Sequence, residues 1–173
     1  MLQEYAQLWD TAEFRDVRED ICLRRAIELA SSGEYREAIT LFKEATSFST
    51  LAVEDRQDVH LRLGTSYDEL HEYDLAIQEY FSAIEFKLIN DVEASARYRV
   101  ARLHFMRGGF AQAKHQLETI LHDYREALKS IPLKEIYEKL SDICRHLGEE
   151  KNAKRYAMMA ENARGKNGMT GPR

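Results

Sequence analysis

The sequence predicts an all-α fold built from stacked pairs of antiparallel helices. The 173 residues include only 2 Pro and 8 Gly, so few positions interrupt long helices. Four positions between helical patterns carry Gly or His, and each is followed five residues later by an alanine: Gly33 and Ala38, His71 and Ala76, Gly108 and Ala113, Gly148 and Ala153. The alanines are separated by 38 residues (38 to 76), 37 (76 to 113) and 40 (113 to 153), a period typical of stacked helix pairs.

The first element is an N-terminal extension over residues 1–18. Leu2, Tyr5, Leu8 and Trp9 recur at helical spacing, which indicates an amphipathic helix. Such a helix either caps the first pair or presents its apolar stripe to a partner, and the sequence leaves both readings open.

Four helix pairs follow, predicted over about residues 19–52, 57–90, 94–127 and 134–164. The second pair carries the clearest motif: His60, Leu63, Gly64 and Tyr67 on its first helix, then Tyr73, Ala76, Tyr80 and Ala83 on its second. This order of large, small and aromatic residues resembles the tetratricopeptide repeat (TPR). The first and third pairs resemble it in degraded form, and the fourth has Ala157 where the others have a bulky residue. The resemblance implies a right-handed superhelical solenoid.

The motif specifies size at the helix contacts. Small residues on the first helices let the partner helix approach, and bulky residues on the second helices fill the space between consecutive pairs. The small residues are Ala26, Gly64, Ala101 and Ser141, and the bulky ones are Phe42, Tyr80 and Leu117. The period exceeds that of the family, which predicts longer helices or extended loops near residues 50–54, 90–93 and 129–133. Residues 165–173 are predicted to be a disordered tail.

Charge and composition argue against several classes of partner and location. A net charge of -5 with mixed signs offers no basic footprint for nucleic acid. No segment approaches the roughly 18 apolar residues of a membrane span, and the N-terminus lacks the pattern of an export signal. Cys22 and Cys144 lie far apart, which fits buried, reduced thiols in a cytoplasmic protein.

Neither an enzyme nor a metal protein is predicted. The chain has no Gly-rich phosphate loop, paired-histidine helix or nucleophile elbow, so we expect no cofactor. His104, His115, His122 and His146 are spread over several helices, which favours packing or surface roles over metal binding. The carboxylates near Asp68 are expected to solvate a helix end.

The resemblance implies a binding surface on the concave face, formed by the first helix of each pair. Carried over residue by residue, this surface consists of Leu23, Ile27, Leu61, Thr65, Asp68, Tyr98, Arg102, Phe105, Met106, Asp142 and Arg145. Aromatic and Arg anchors beside an adaptable Met suit an amphipathic helix or an extended peptide. The alternative is that these side chains only pack against the neighbouring helix.

The sequence therefore predicts a protein-interaction scaffold or adaptor that binds a partner peptide or helix. One alternative is a regulatory repeat protein whose shape responds to a ligand. Another is a structural protein that self-associates through its terminal helices, where Leu8, Trp9, Met158 or Met159 would supply apolar contacts.

Overall fold

The computed structural model describes residues 12–47, 51–88, 90–124 and 131–166. Over these ranges the chain forms eight α-helices and no strand. The helices are α1 (Ala12–Ser32), α2 (Tyr35–Ser47), α3 (Val53–Glu69), α4 (Tyr73–Glu85), α5 (Asn90–Met106), α6 (Phe110–Asp123), α7 (Leu133–His146) and α8 (Glu150–Lys166). The predicted all-α fold of antiparallel helix pairs is confirmed.

Each pair is joined by a tight turn at the predicted Gly or His position. Gly33, Gly108 and Gly148 have positive φ, and His71 adopts the same conformation with φ 61°. The next backbone N–H reaches back to close the preceding helix, as in Glu72 N to the Tyr67 carbonyl at 2.9 Å. This left-handed C-terminal cap reverses the chain within two or three residues.

The chain divides into two compact units, residues 1–88 and 89–173. In the first unit α1 pairs with α2 and α3 pairs with α4, and α3 also packs on α2. The core of this unit contains Ala26, Phe42, Leu63 and Tyr80, all nearly or fully buried. The buried Gln57 amide donates to the Ala83 carbonyl at 3.1 Å and so ties α3 to α4.

The second unit repeats this arrangement with α5 to α8. Its core combines Ala101 of α5, Leu117 and Ile120 of α6, three apolar residues of α7 and the inner face of α8. The α7 residues are Ile136, Leu140 and Ile143. A buried polar group lies at the edge of this core, where Arg97 pairs with Glu93 at 2.9 Å and donates to Gln116 at 2.9 Å.

One predicted boundary differs from the observed helices. Helix α1 already begins at Ala12, so the predicted limit between residues 18 and 19 lies inside a helix. Of the two possibilities predicted near residues 90–93, a longer helix or an extended loop, the structure has the helix: these residues form the first turn of α5, where Glu93 is buried. The helix predicted around Leu2 to Trp9 and most of the predicted tail lie outside the described residues.

Candidate functional site

Helix α5 carries four of the predicted binding residues. Tyr98, Arg102 and Phe105 follow one another at helical spacing and are partly buried, and Met106 at the end of the helix is 55% exposed. They are held there because the opposite face of α5 buries Ala94, Val100 and Ala101 in the core.

Tyr98 contacts the first half of α7. Its hydroxyl donates a hydrogen bond to the Glu135 carboxylate, and the Lys139 ammonium lies 5.7 Å from the centre of its ring. Burial, followed by the hydrogen bond to Glu135 and that group's negative charge, raises the pKa of the Tyr98 hydroxyl. Tyr98 therefore stays a donor at neutral pH and joins α5 to α7.

Phe105 contacts the other end of α7. Its ring meets Phe110 edge-on at 5.4 Å and His146 edge-on at 5.6 Å, while Phe110 and His146 stack at 4.4 Å. The packing alternative thus accounts for part of the surface of Tyr98 and Phe105. Neither side chain is fully buried, so both also keep surface that a partner can contact.

A small pocket of about 70 Å³ lies between these two contacts. Its floor is apolar and its rim carries two cations and one carboxylate. We call it the α5–α7 pocket, and it is lined by Ala101, Arg102, Phe105, Leu117, Lys139, Asp142 and Ile143. Three predicted residues, Arg102, Phe105 and Asp142, therefore meet at one concave feature.

A larger, open groove of about 410 Å³ lies on the other side of α7. We call it the α7–α8 groove, and it is lined by Glu138, Ser141, Asp142, Arg145, Ala157, Ala160 and Glu161. The predicted residues Asp142 and Arg145 pair here at 2.5 Å, with both side chains more than half exposed. Ser141 donates to the Ala153 carbonyl at 2.9 Å and holds α8 close to α7.

The remaining predicted residues belong to the first unit. Leu23 and Ile27 lie one turn apart on α1, and Leu61 and Thr65 lie one turn apart on α3; all four are partly exposed. Asp68 is only 5% exposed and accepts a hydrogen bond from the buried Tyr80 hydroxyl at 3.4 Å. Asp68 is thus a packing residue in this structure, in contrast to its predicted place on the binding surface.

Two residues at or beside the α5–α7 pocket were not identified from the sequence. Lys139 supplies half of the positive rim, and Glu135 holds Tyr98. The repeat pattern marks the adjacent Leu140 as a packing residue but does not indicate which neighbours of that position face α5. A comparison of the repeats position by position would have indicated the α7–α8 groove, because Ala157 stands where the third pair has the bulky Leu117.

The cysteines and histidines lie apart from these surfaces or have packing roles. Both cysteines are buried, and burial is the largest cause that raises the pKa of each thiol. Burial, helped by the positive charge of Arg107, lowers the pKa of His104. Among the described residues no three His, Cys, Asp or Glu side chains form a group that could hold a metal ion. In the same ranges, every helix is either too short or too polar to span a lipid bilayer.

Comparison with known proteins finds similarity at the level of three-dimensional structure. No protein-family model matches the chain, and no curated protein matches its sequence. The solved structure of MamA superposes with a TM-score of 0.73 at 17% identity, covering 87% of this chain and 80% of MamA. BtubC (BKLC) from P. vanneervenii gives 0.77 at 16% identity, covering 92% of this chain and 68% of BtubC.

A third similar structure is built from TPR-like repeats. A putative kinesin light chain from Podospora anserina with nearly identical TPR-like repeats gives a TM-score of 0.65 at 15% identity, covering 92% of this chain and 79% of that one. Identities this low establish the fold alone. Together with the four helix pairs and their left-handed turns, they show that the chain has the TPR-like repeat fold.

Proposed function

We propose that the chain is a protein-interaction scaffold that binds a short segment of a partner protein at the α5–α7 pocket. The fold supports a binding role, because TPR-like helix pairs display helix faces on which partner segments dock. The observation that carries the proposal is the pocket itself, which combines an apolar floor with a charged rim. The function requires recognition and no chemical step.

The pocket dimensions select the kind of side chain that fits. A volume of about 70 Å³ exceeds what one water molecule occupies, and three of the lining residues, Ala101, Leu117 and Ile143, offer apolar atoms. An aliphatic side chain entering here would replace water with apolar contacts and gain roughly 25 cal/mol per Å² of buried apolar surface. We infer that the partner anchors itself with a branched aliphatic residue.

The rim charges select what flanks that anchor. Arg102 and Lys139 stand against Asp142, which already pairs with Arg145 at 2.5 Å. The rim therefore favours carboxylates, and Arg can bind one through two parallel hydrogen bonds. The partner segment we propose carries Asp or Glu within a few residues of its aliphatic anchor.

Selection of displayed peptides against the 173-residue chain tests this proposal. We expect enriched peptides to share an aliphatic residue flanked by Asp or Glu. A labelled peptide from this group should bind the Arg102→Glu/Lys139→Glu variant at least about tenfold more weakly, because like charges then oppose it. The matched control is Lys151→Glu/Lys154→Glu, which makes the same charge change at exposed sites on α8 and should leave affinity unchanged.

Two outcomes would contradict the proposal. One is enrichment of peptides without acidic residues, and the other is equal binding of the acidic peptides to the wild type and to both variants. Helical circular dichroism on each variant separates a lost contact from a lost fold.

Location in the cytoplasm and absence of nucleic-acid binding remain predictions from the sequence.

A further inference from the structure

The α7–α8 groove corresponds, one repeat later, to the surface of α5 and α6 on which α7 packs. Ala153 follows Ala113 by 40 residues, and each residue lining the groove lies 40 positions after a residue of α5 or α6. The equivalents are Tyr98, Ala101, Arg102, Phe105, Leu117, Ile120 and Leu121. All seven lie on α5 or α6. Each of them either packs in the core that α7 joins or lines the α5–α7 pocket.

The filled surface holds a helix. On it, Ile136, Leu140 and Ile143 of α7 are buried in one core together with Ala101 and Leu117. The groove keeps the small floor of such a surface in Ser141, Ala157 and Ala160, and its lining residues come from α7 and α8. Among the described helices none packs into it as α7 packs on α5 and α6, so its shape is that of a surface able to receive a helix.

The matching helix face occurs on α1. Ile21, Arg24, Arg25 and Glu28, which we call the α1 stripe, lie 115 positions before the face of α7 formed by Ile136, Lys139, Leu140 and Ile143. In α3 the same positions bury Val59, Leu63 and Ser66. In α1 they are open, with Ile21 53% exposed and the Arg24 and Arg25 side chains 75% and 60% exposed.

The charges of the two surfaces are complementary. The lining residues of the groove include three carboxylates, Glu138, Asp142 and Glu161, and one guanidinium, Arg145. Lys134 next to the groove pairs with Glu138 at 3.3 Å, which leaves the surface with a smaller excess of negative charge. The α1 stripe carries two arginines and one glutamate around an exposed isoleucine. Arg24 pairs with Asp20 and Arg25 with Glu28, but exposed pairs of this kind contribute little and can be exchanged at small cost.

We propose that a second copy of this chain docks its α1 stripe into the α7–α8 groove, so that the helix stacking of one copy continues into the next. Ile21 lies over the small floor, and the arginines face the groove carboxylates. The two surfaces differ, so the contact is head-to-tail and can repeat from copy to copy. Because the α1 stripe is polar where α7 is apolar, the contact is reversible and weakens with added salt.

Charge reversal on each surface tests the pairing. The variants are Arg24→Glu/Arg25→Glu for the α1 stripe and Asp142→Lys/Glu161→Lys for the groove. Sedimentation equilibrium of the wild type should give a mass that rises above 20.2 kDa with concentration. Each variant alone should raise the dissociation constant about tenfold or more, because every contact then includes one reversed surface. An equimolar mixture of the two should restore association, because the unchanged α1 stripe of the groove variant meets the unchanged groove of the stripe variant, and the two reversed surfaces again carry opposite charges.

A control variant separates the contact from general charge effects. Glu85→Lys/Asp123→Lys makes the same charge change as the groove variant at exposed helix ends away from both surfaces, and it should associate like the wild type. A wild type that stays at 20.2 kDa up to about 200 μM overturns the proposal, as does a mixture that remains monomeric. The pocket variant Arg102→Glu/Lys139→Glu should still associate, which keeps this result separate from the peptide-binding test.

Discussion

Glu93 and Arg97 form the most buried ion pair in the described part of the chain. Glu93 is 2% exposed, the Arg97 side chain is 16% exposed, and the guanidinium also donates to Gln116. Burial, followed by the neighbouring Glu93 carboxylate, raises the pKa of the Tyr124 hydroxyl. Removing one partner leaves the other charge with little access to water. Breaking the pair therefore costs more free energy of unfolding than forming the pair contributes.

We expect Glu93→Ala to lower the free energy of unfolding by about 3 kcal/mol, because Arg97 is left buried without its counter-ion. Replacing both residues, as Glu93→Leu/Arg97→Met, should cost less than Glu93→Ala alone. Urea denaturation followed by circular dichroism measures the difference.

The exposed pair of Asp58 and Arg62 is the control for this prediction. It has the same spacing and a shorter distance of 2.6 Å, but both side chains are more than one third exposed. Asp58→Ala should therefore cost less than about 1 kcal/mol. Equal losses at the two sites would show that burial does not determine the contribution of these pairs.

At the scale of the helix pair, a small residue on one helix faces a bulky residue on the next. Gly64 packs against Tyr80 so closely that a β-carbon at Gly64 would lie 2.5 Å from ring carbons of Tyr80. The equivalent positions hold Ala26 and Phe42 in the first pair and Ala101 and Leu117 in the third. The fourth pair holds Ser141 and Ala157, and there the α7–α8 groove lies open.

This size match predicts that the effect of Gly64→Ala on stability reverses its sign when the residue at position 80 is made smaller. Gly64→Ala should lower stability by about 1–2 kcal/mol, since the clash with the buried Tyr80 ring outweighs a helix-propensity gain of about 1 kcal/mol. In a Tyr80→Leu background, which copies the Ala101 and Leu117 pair, Gly64→Ala should instead raise stability. Urea midpoints of the four proteins test this, and a loss in both backgrounds would argue that the glycine serves backbone geometry rather than space.

The same comparison shows what the sequence could predict. Local features could be predicted. The turns need a residue with left-handed backbone, which marks Gly33, His71, Gly108 and Gly148, and the alanine five positions later lies in the helix that begins after each turn. Contacts between helices were harder to predict from the sequence. Whether Lys139 faces the α5–α7 pocket depends on the rotation of α7, which is set jointly by Ile136, Leu140 and Ile143 in the core.

Asp68 shows the same limit of prediction, because a residue predicted for the binding face is buried. The family pattern assigns its position to the binding face, but Tyr80 is large enough to reach it with its hydroxyl. The equivalent position in the third pair is Phe105, where Leu117 replaces Tyr80 and the side chain keeps part of its surface. One bulky residue on the second helix thus decides whether the first helix offers a side chain to solvent.

At the scale of the whole molecule, the proposed head-to-tail contact links association to stability. A partner that binds only the folded chain stabilises it by RT ln(1 + [L]/Kd), here with a second copy of the chain as ligand. Each tenfold rise in concentration above Kd then adds about 1.4 kcal/mol, and for a chain of this size each kcal/mol raises Tm by about 2–4 °C.

We therefore expect the wild-type Tm to rise by several degrees between dilute and concentrated samples at low salt. The Asp142→Lys/Glu161→Lys variant should show a Tm independent of concentration, because it remains a monomer that gains nothing from mass action. Adding 0.5 M NaCl to the wild type should flatten its concentration dependence, since the carboxylates and arginines at the contact are exposed to screening. A concentration dependence that persists unchanged in salt would mean that apolar surface, rather than the charged rim of the α7–α8 groove, holds the copies together.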